Sequence, residues 1–259
     1  MTAMLERSLH VRVVPAVALD GVGKTFGTGP SAVTALRDID LSVAPGEFVC
    51  LLGASGCGKS TLLNLVAGLD RPTTGRLEIR TARPSVMFQE SALLPWLTAG
   101  RNVELPLRLA GLGRRERRAR AAELLELVRL SGQAGKRPHE LSGGMRQRVA
   151  LARSLAVATS APGTDRPGLL LMDEPFAALD AITRDVLQGE LMRVWRATGF
   201  TVVFVTHDVR EAHRLAQRVV LLSSRPGTVV GEWAVDGAER ERLHDEITGR
   251  LRDVITNHA

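Results

Sequence analysis

Residues 53–61 read Gly53-Ala54-Ser55-Gly56-Cys57-Gly58-Lys59-Ser60-Thr61, which combines three glycines, one lysine and a pair of hydroxyls next to each other. Each residue type answers a need of a nucleoside triphosphate. The glycines let the backbone curl until several N–H groups face one anion, Lys59 offers a point charge to the terminal phosphates, and Ser60 offers a hydroxyl to Mg²⁺. At ordinary residue usage the pattern would arise by chance in roughly 1% of chains this long. Its setting argues further against chance, because an apolar run at residues 48–52 precedes it and Leu62, Leu63, Leu65 and Val66 follow. Buried strand, glycine turn and helix start make a phosphate-binding loop.

A second group of reactive side chains stands in Leu169-Leu170-Leu171-Met172-Asp173-Glu174-Pro175, an apolar strand ending in two carboxylates. Such a strand would bring both acids to the rim of a sheet beside the phosphate loop. The two can divide the work. Asp173 is expected to help hold Mg²⁺, and Glu174 to polarise an attacking water, a role worth roughly 10²- to 10⁴-fold in rate. The third element is Leu141-Ser142-Gly143-Gly144-Met145, where a serine and two glycines open a helix that continues through Val149, Ala152 and Leu155. Alone it is a capped turn; beside the other two it reads as a second anion cradle.

The elements that must position these groups are legible from apolar patterning. Short apolar runs at residues 48–52, 86–88, 169–172, 202–205 and 219–222 alternate with helical patterns, which predicts a mostly parallel sheet covered on both faces. Ile39, Leu41 and Val43 alternate and predict a half-exposed strand feeding the central one. Residues 90–140 turn helical and arginine-rich, as an inserted helical subdomain would. The run Arg114-Arg115-Glu116-Arg117-Arg118-Ala119-Arg120 continues into Ala121, Leu124, Leu125 and Val128, the solvated start of an amphipathic helix. Residues 159–168, rich in Pro and Gly, read as a surface loop. Residues 238–255 place Leu243, Ile247, Leu251 and Val254 at helical spacing, so a closing amphipathic helix is expected.

Composition sets the outer limits. A chain of 259 residues with 44% hydrophobic content suits one large α/β domain with a subdomain, or two small ones. No apolar stretch approaches the 18 or so residues of a spanning helix, and the first ten residues carry Glu6, Arg7 and His10 where a secretory signal needs an apolar core. A cytoplasmic protein is expected. Cys50 and Cys57 are the only cysteines, too few and wrongly spaced for a disulfide framework or a metal site, so both read as small apolar fillers. The net charge of +6 permits contact with nucleic acid or an anionic membrane face. Aromatic residues are sparse at 3%, and none interleaves with the basic run as a stacking platform for single strands would.

Taken in order, these motifs resemble the ATP-binding cassette (ABC) proteins, and the resemblance covers nearly the whole chain. Ser142-Gly143-Gly144 resembles the family signature, and Gln89 the Q-loop glutamine that contacts Mg²⁺ and the lytic water. Asp180, in Ala178-Leu179-Asp180, resembles the D-loop. His207 resembles the switch histidine that touches the γ-phosphate, and Phe26 sits where the family stacks an aromatic on adenine. The resemblance implies ATP held by Phe26, Gly53, Ser55, Gly56, Cys57, Gly58, Lys59, Ser60, Thr61, Ser142, Gly143, Gly144 and Asp180. It implies Mg²⁺ held by Ser60, Gln89 and Asp173, and hydrolysis by Glu174, Gln89 and His207. The implied fold is α/β: a P-loop NTPase core with a mostly parallel sheet, an antiparallel β subdomain and an inserted α-helical subdomain at about 90–157. These would form a single domain over residues 12–259, with 1–11 an N-terminal extension. Two features depart from the family pattern: Met145 replaces the usual signature glutamine, and residues 159–168 make a longer loop than usual.

In the family, two such domains face head to tail with each ATP between the phosphate loop of one and the signature of the other. One loop and one signature per chain therefore imply a homodimer or a paralogous partner. Phe88-Gln89-Glu90-Ser91-Ala92-Leu93-Leu94-Pro95-Trp96-Leu97-Thr98, followed by Asn102-Val103, is similar to importers that dock a permease's coupling helix. Leu221-Leu222-Ser223-Ser224-Arg225-Pro226-Gly227 looks like the nitrate, sulfonate and taurine branch. The branch implies an ATPase peripheral to the cytoplasmic face of the cell membrane, bound to permease subunits and served by an extracytoplasmic substrate-binding protein, with no nucleic acid as partner. The alternative is a soluble ABC ATPase acting on nucleic acid or ribosomes, but such proteins usually carry two cassettes or a long coiled-coil insertion. A P-loop kinase would leave Ser142, Gly143 and Gly144 unused.

Overall fold

The computed structural model describes residues 14–81, 84–159, 168–235 and 240–256. Its centre is strand β3 (Phe48–Leu52), every residue of which is buried. A five-residue apolar run with no polar alternation is stable only where both faces of a strand are covered. Its neighbours satisfy that demand. With β5 (Ser85–Met87), β6 (Leu169–Asp173), β7 (Thr201–Thr206), β8 (Arg218–Leu222) and β9 (Val229–Ala234), it forms a six-stranded sheet in the order β5-β6-β7-β3-β8-β9. All pairings are parallel except that of β8 with β9.

Alternation along these strands divides the apolar side chains between two cores. Phe48, Cys50, Leu52, Leu170, Met172, Val202, Phe204, Val219 and Leu221 point to one side. There they meet helices α2 (Ala99–Leu109), α3 (Arg114–Leu127), α4 (Gly143–Ala158), α5 (Ala181–Thr198) and α6 (Val209–Leu215). Val49, Leu51, Leu169, Leu171, Val203, Val205, Val220 and Leu222 point to the other, against helix α1 (Lys59–Val66) and a second sheet. That second sheet is antiparallel, in the order β2-β1-β4, from β1 (Val17–Phe26), β2 (Val33–Val43) and β4 (Thr74–Ile79). Each fully buried Val, Leu or Phe contributes about 1.5–3 kcal/mol relative to exposure, so both faces of β3 are held strongly.

The alternating Ile39, Leu41 and Val43 belong to β2, which pairs with β1 instead of joining the central sheet. Its one apolar face is satisfied by the second core, and its other face stays outside. The strand expected at 86–88 runs one residue earlier, and Phe88 is 40% exposed beyond its end. The basic run opens α3, and Ala121, Leu124, Leu125 and Val128 are buried as their spacing requires. The last helix, α7 (Arg240–Thr256), buries Ile247 and rests Leu243, Leu251 and Val254 on the first core. Both Cys50 and Cys57 are buried thiols. Residues 1–11 and most of the loop expected at 159–168 lie outside the described residues.

Candidate nucleotide site

The chain leaves β3 at Leu52 and turns through residues 53–58 into α1, with Gly58 as the residue before the first helical turn. Gly58 has φ 104°, and a Cβ there would lie 2.7 Å from Leu36 Cδ2 and 2.9 Å from the Ala35 carbonyl oxygen. Only glycine meets both conditions. Lys59 is 5% exposed, and its ammonium donates to the carbonyls of Gly53 and Ala54, each at 2.8 Å. The loop thus carries its own cation, held by its own carbonyls above a helix N-terminus whose N–H groups lack intrahelical partners.

This loop forms one wall of a cleft of about 320 Å³. Ser55, Gly56, Gly58, Lys59, Ser60 and Thr61 line it on the phosphate-loop side, and Gln89, Asp173 and Glu174 come from the ends of β5 and β6. Phe26, 45% exposed, closes the far end with Val33 and Ala35. Lys24 Nζ stands 4.9 Å from the Phe26 ring centroid on one face. The volume falls within the range of small-ligand sites, and the arrangement of apolar end, glycine wall and acidic end suits a nucleotide.

Burial is the main cause that raises the Asp173 carboxyl above its ordinary value; a hydrogen bond with Ser60 opposes it, the Glu174 charge adds to it, and Lys59 opposes it. Two adjacent carboxylates in a half-buried place want a cation. Among the described residues no group of three or more His, Cys, Asp or Glu could hold a metal alone. The available donors are the Ser60 hydroxyl, the Asp173 carboxylate and the Gln89 amide oxygen, all hard oxygen ligands. They fit Mg²⁺ that takes its remaining ligands from phosphate and water. Glu174 adopts φ 45°, its N–H donates to the Val205 carbonyl at 3.1 Å, and its Oε2 lies 3.1 Å from His207 Nδ1. The ends of β6 and β7 therefore bring the acid and the histidine together.

Other expected residues lie elsewhere. Gly53 and Cys57 stand behind the loop, not on the cleft wall; Cys57 is 1% exposed and its sulfur would meet a Cβ on Gly53 at 2.8 Å. Ser142 caps α4, accepting the Met145 N–H at 3.3 Å, and Asp180 caps α5, accepting the Thr183 N–H at 2.9 Å. Ser142, Gly143, Gly144 and Asp180 are not on the cleft wall, although Gly144 and Leu179 approach each other. Helix α4 still reaches the cleft's edge: Gln147 Nε2 donates to the Gln89 carbonyl at 3.3 Å, and Arg153 donates to the carbonyls of Ser91 and Ala92 at 3.0 and 2.8 Å. The sequence reading gave Arg225 no role in the site, yet it lines the cleft. Its position follows from the pairing of β8 with β3, which no local pattern announces.

A family model described as ABC transporter matches residues 36–177. The chain is 48% identical over 226 residues to the taurine import ATP-binding protein TauB of Burkholderia pseudomallei, covering 85% of this chain and 84% of that one. It is 44% identical over 256 residues to the nitrate import ATP-binding protein NrtD of Synechococcus elongatus, covering 95% and 90%. Among solved structures, the ATP-binding cassette MJ0796 as a dimer in a post-hydrolysis state bound to ADP and Pi superposes with a TM-score of 0.75 at 36% identity, over 85% of this chain and 99% of that chain. A glycine-walled cleft with two acids at its end, and relatives aligned over most of both chains, lead to one conclusion: this chain belongs to the ABC transporter family.

Proposed function

We propose that this chain is the ATP-binding and hydrolysing subunit of an importer for a small anion such as an aliphatic sulfonate, taurine or nitrate. The observation that carries the reading is the meeting of Lys59, Ser60, Gln89, Asp173 and Glu174 on one cleft. The names of the taurine and nitrate import relatives support the substrate class. Residues 12–259 are read as one cassette, with the helical subdomain at about 90–157.

In this reading Phe26 stacks on the adenine, an interaction worth about 1–3 kcal/mol, and the N–H groups of residues 55–61 with the Lys59 ammonium hold the phosphates. Ser60, Asp173 and Gln89 would hold Mg²⁺, which would supply positive charge against the phosphates. Glu174 accepts a hydrogen bond from the attacking water and polarises it. His207 Nδ1, 3.1 Å from the Glu174 carboxylate, fixes its orientation, and the family resemblance gives this histidine the γ-phosphate contact. Ser142, Gly143 and Gly144 take no part in the cleft of their own chain; they close the cleft of a second copy or a paralogue, and Asp180 lines the same seam. The dimeric state of the solved cassette supports this arrangement.

Closure around ATP is passed on through the segment from Gln89 to Asn102. Gln147 and Arg153 fasten that segment to the signature helix. Trp96, 67% exposed, offers a permease helix an apolar contact there. No helix among the described residues is long and apolar enough to cross a membrane. The import relatives support a place on permease subunits at the cytoplasmic face, supplied by an extracytoplasmic binding protein.

The test is Glu174→Gln, which keeps size and hydrogen bonding but cannot act as a base. It should bind ATP as the wild type does and turn it over at least about a hundredfold more slowly, equivalent to about 2.7 kcal/mol on the barrier. Wild-type turnover in the variant would remove Glu174 from this role.

A further inference from the structure

We infer that Arg225 is a nucleotide contact, a fixed cation for the phosphate nearest the ribose, a role that its place in the branch-like segment Leu221 to Gly227 does not assign. The inference rests on the reading of the cleft as an ATP site.

The loop joining β8 to β9 is built tightly. The Ser223 N–H donates to the Thr228 carbonyl at 2.9 Å, the Thr228 N–H donates to the Ser223 hydroxyl at 2.9 Å, and that hydroxyl lies 2.9 Å from the Pro226 carbonyl. The same loop is fastened to β2: the Gly227 N–H donates to the Ala35 carbonyl at 2.9 Å, and the Arg37 N–H donates to the Gly227 carbonyl at 3.0 Å. On its other side it lies against the phosphate loop, where a Cβ on Gly227 would fall 2.2 Å from the Cys57 carbonyl oxygen. A side chain at 227 is therefore excluded. Two residues earlier, Arg225 is exposed and lines the cleft. No described residue is hydrogen-bonded to, or ion-paired with, its guanidinium. A rigid loop thus presents an uncommitted cation to the site.

The anchors of the loop give the cation its place along the cleft. Ala35 accepts from Gly227 and also reaches within 2.9 Å of where a Gly58 side chain would start, so the loop meets the cleft where its apolar end joins the phosphate wall. A nucleotide with its base on Phe26 and its outer phosphates on residues 55–61 has its ribose and first phosphate at that junction. A guanidinium there recognises a phosphate common to nucleoside di- and triphosphates, and it is planar and always charged.

The experiment measures equilibrium binding of ATP and of ADP to the full chain by displacement of a fluorescent nucleotide, for wild type, Arg225→Ala, Arg225→Gln and Arg225→Lys. Arg225→Ala and Arg225→Gln should each weaken ATP and ADP by the same factor, about tenfold. Arg225→Lys should recover part of the loss, and the affinity should fall less steeply with added salt in the neutral variants. Melting of the nucleotide-free protein should not change, since the guanidinium has no partner in the fold to lose. Unchanged affinity for both nucleotides would overturn the inference, as would a loss confined to ATP, which would put the cation at the outer phosphates. Failure of the wild type itself to bind either nucleotide would instead sink the reading of the cleft.

Discussion

Gly58 and Gly143 both stand at the start of a helix whose N–H groups face outward, yet the chain needs them for different reasons. Gly58 is fixed by its own surroundings, with φ 104° and with Leu36 and Ala35 too close to admit a side chain. Gly143 has open space: a Cβ there would meet nothing nearer than Arg146 Nη2 at 3.8 Å, and its φ lies in the ordinary region. Even Gly144 has only Leu179 Cδ2 at 3.3 Å. The phosphate loop is therefore explained inside one molecule, whereas nothing in the fold of a single chain requires a glycine at 143. That contrast fits a surface shaped to receive something from outside, such as the triphosphate in a second copy's cleft.

The largest effect should come from Gly58→Ala. A non-glycine residue held at positive φ costs about 1–2 kcal/mol, and forcing a methyl into a filled core adds about 1–3 kcal/mol. Urea unfolding should show a loss of about 2–5 kcal/mol together with lost ATP binding. A loss under about 0.5 kcal/mol would mean that the loop is not held by its own core, and the contrast with Gly143 would disappear.

Gly143→Ala should do the reverse. Alanine is favoured over glycine in a helix by about 1 kcal/mol, so unfolding should be unchanged or slightly shifted toward stability. Because a methyl on the outer face obstructs close approach of a second molecule, ATP turnover should fall about tenfold, equivalent to about 1.4 kcal/mol. Light scattering in the Glu174→Gln background should show loss of the ATP-dependent dimer. Full turnover with an intact dimer would return Gly143 to the status of a simple capped turn.

This division also explains what could be read before any coordinates. The phosphate loop and the strand ending in Asp173 and Glu174 were legible because the chemistry and the element that carries it are contiguous. The parallel sheet was legible because β3, β6, β7 and β8 are unbroken apolar runs. Strand β1 was not found by patterning: Asp20, Gly21 and Gly23 interrupt it, and its pairings with β2 and β4 shift register at those residues. Gly23 there sits where a Cβ would meet Thr74 Oγ1 at 2.4 Å, a constraint visible only across strands. The antiparallel sheet entered through family resemblance alone. Arg225 was missed as a cleft residue for a related reason, since its place depends on β8 lying beside β3. Cys57 belongs to the ATP-holding residues that the resemblance implies, and the burial of its side chain behind the loop leaves only its backbone for that part, a placement that residue type alone does not announce.

The smallest effect concerns charge, which follows the same division between the interior and the open side. Glu211 is 8% exposed, accepts hydrogen bonds from Thr206 Oγ1 at 2.7 Å and Gln188 Nε2 at 3.1 Å, and has Arg184 Nε at 3.7 Å. Burial, with the Asp208 charge added, raises its carboxyl above the ordinary 4.5 despite the Thr206 hydrogen bond, Arg184 and His207. Asp180, on the open side, is lowered below 3.8 by the Thr183 N–H. A raised carboxyl holds its proton more firmly folded than unfolded. Its contribution to stability is therefore complete below 4.5 and is lost as pH rises through the folded value. A lowered carboxyl contributes above 3.8 and loses that contribution as pH falls through its folded value. Urea unfolding across about pH 3 to 7 should then show two opposite slopes. The stability of wild type relative to Glu211→Gln should decline as pH rises, while its stability relative to Asp180→Asn should grow. Glutamine can keep both side-chain hydrogen bonds by reversing the one to Thr206, so the first difference reports the buried charge and not a broken contact. Parallel curves for the two variants would mean that the buried acid and the capping acid sit in equivalent surroundings, and the division between a self-contained half and an outward-facing half would fail for charge even if it held for packing.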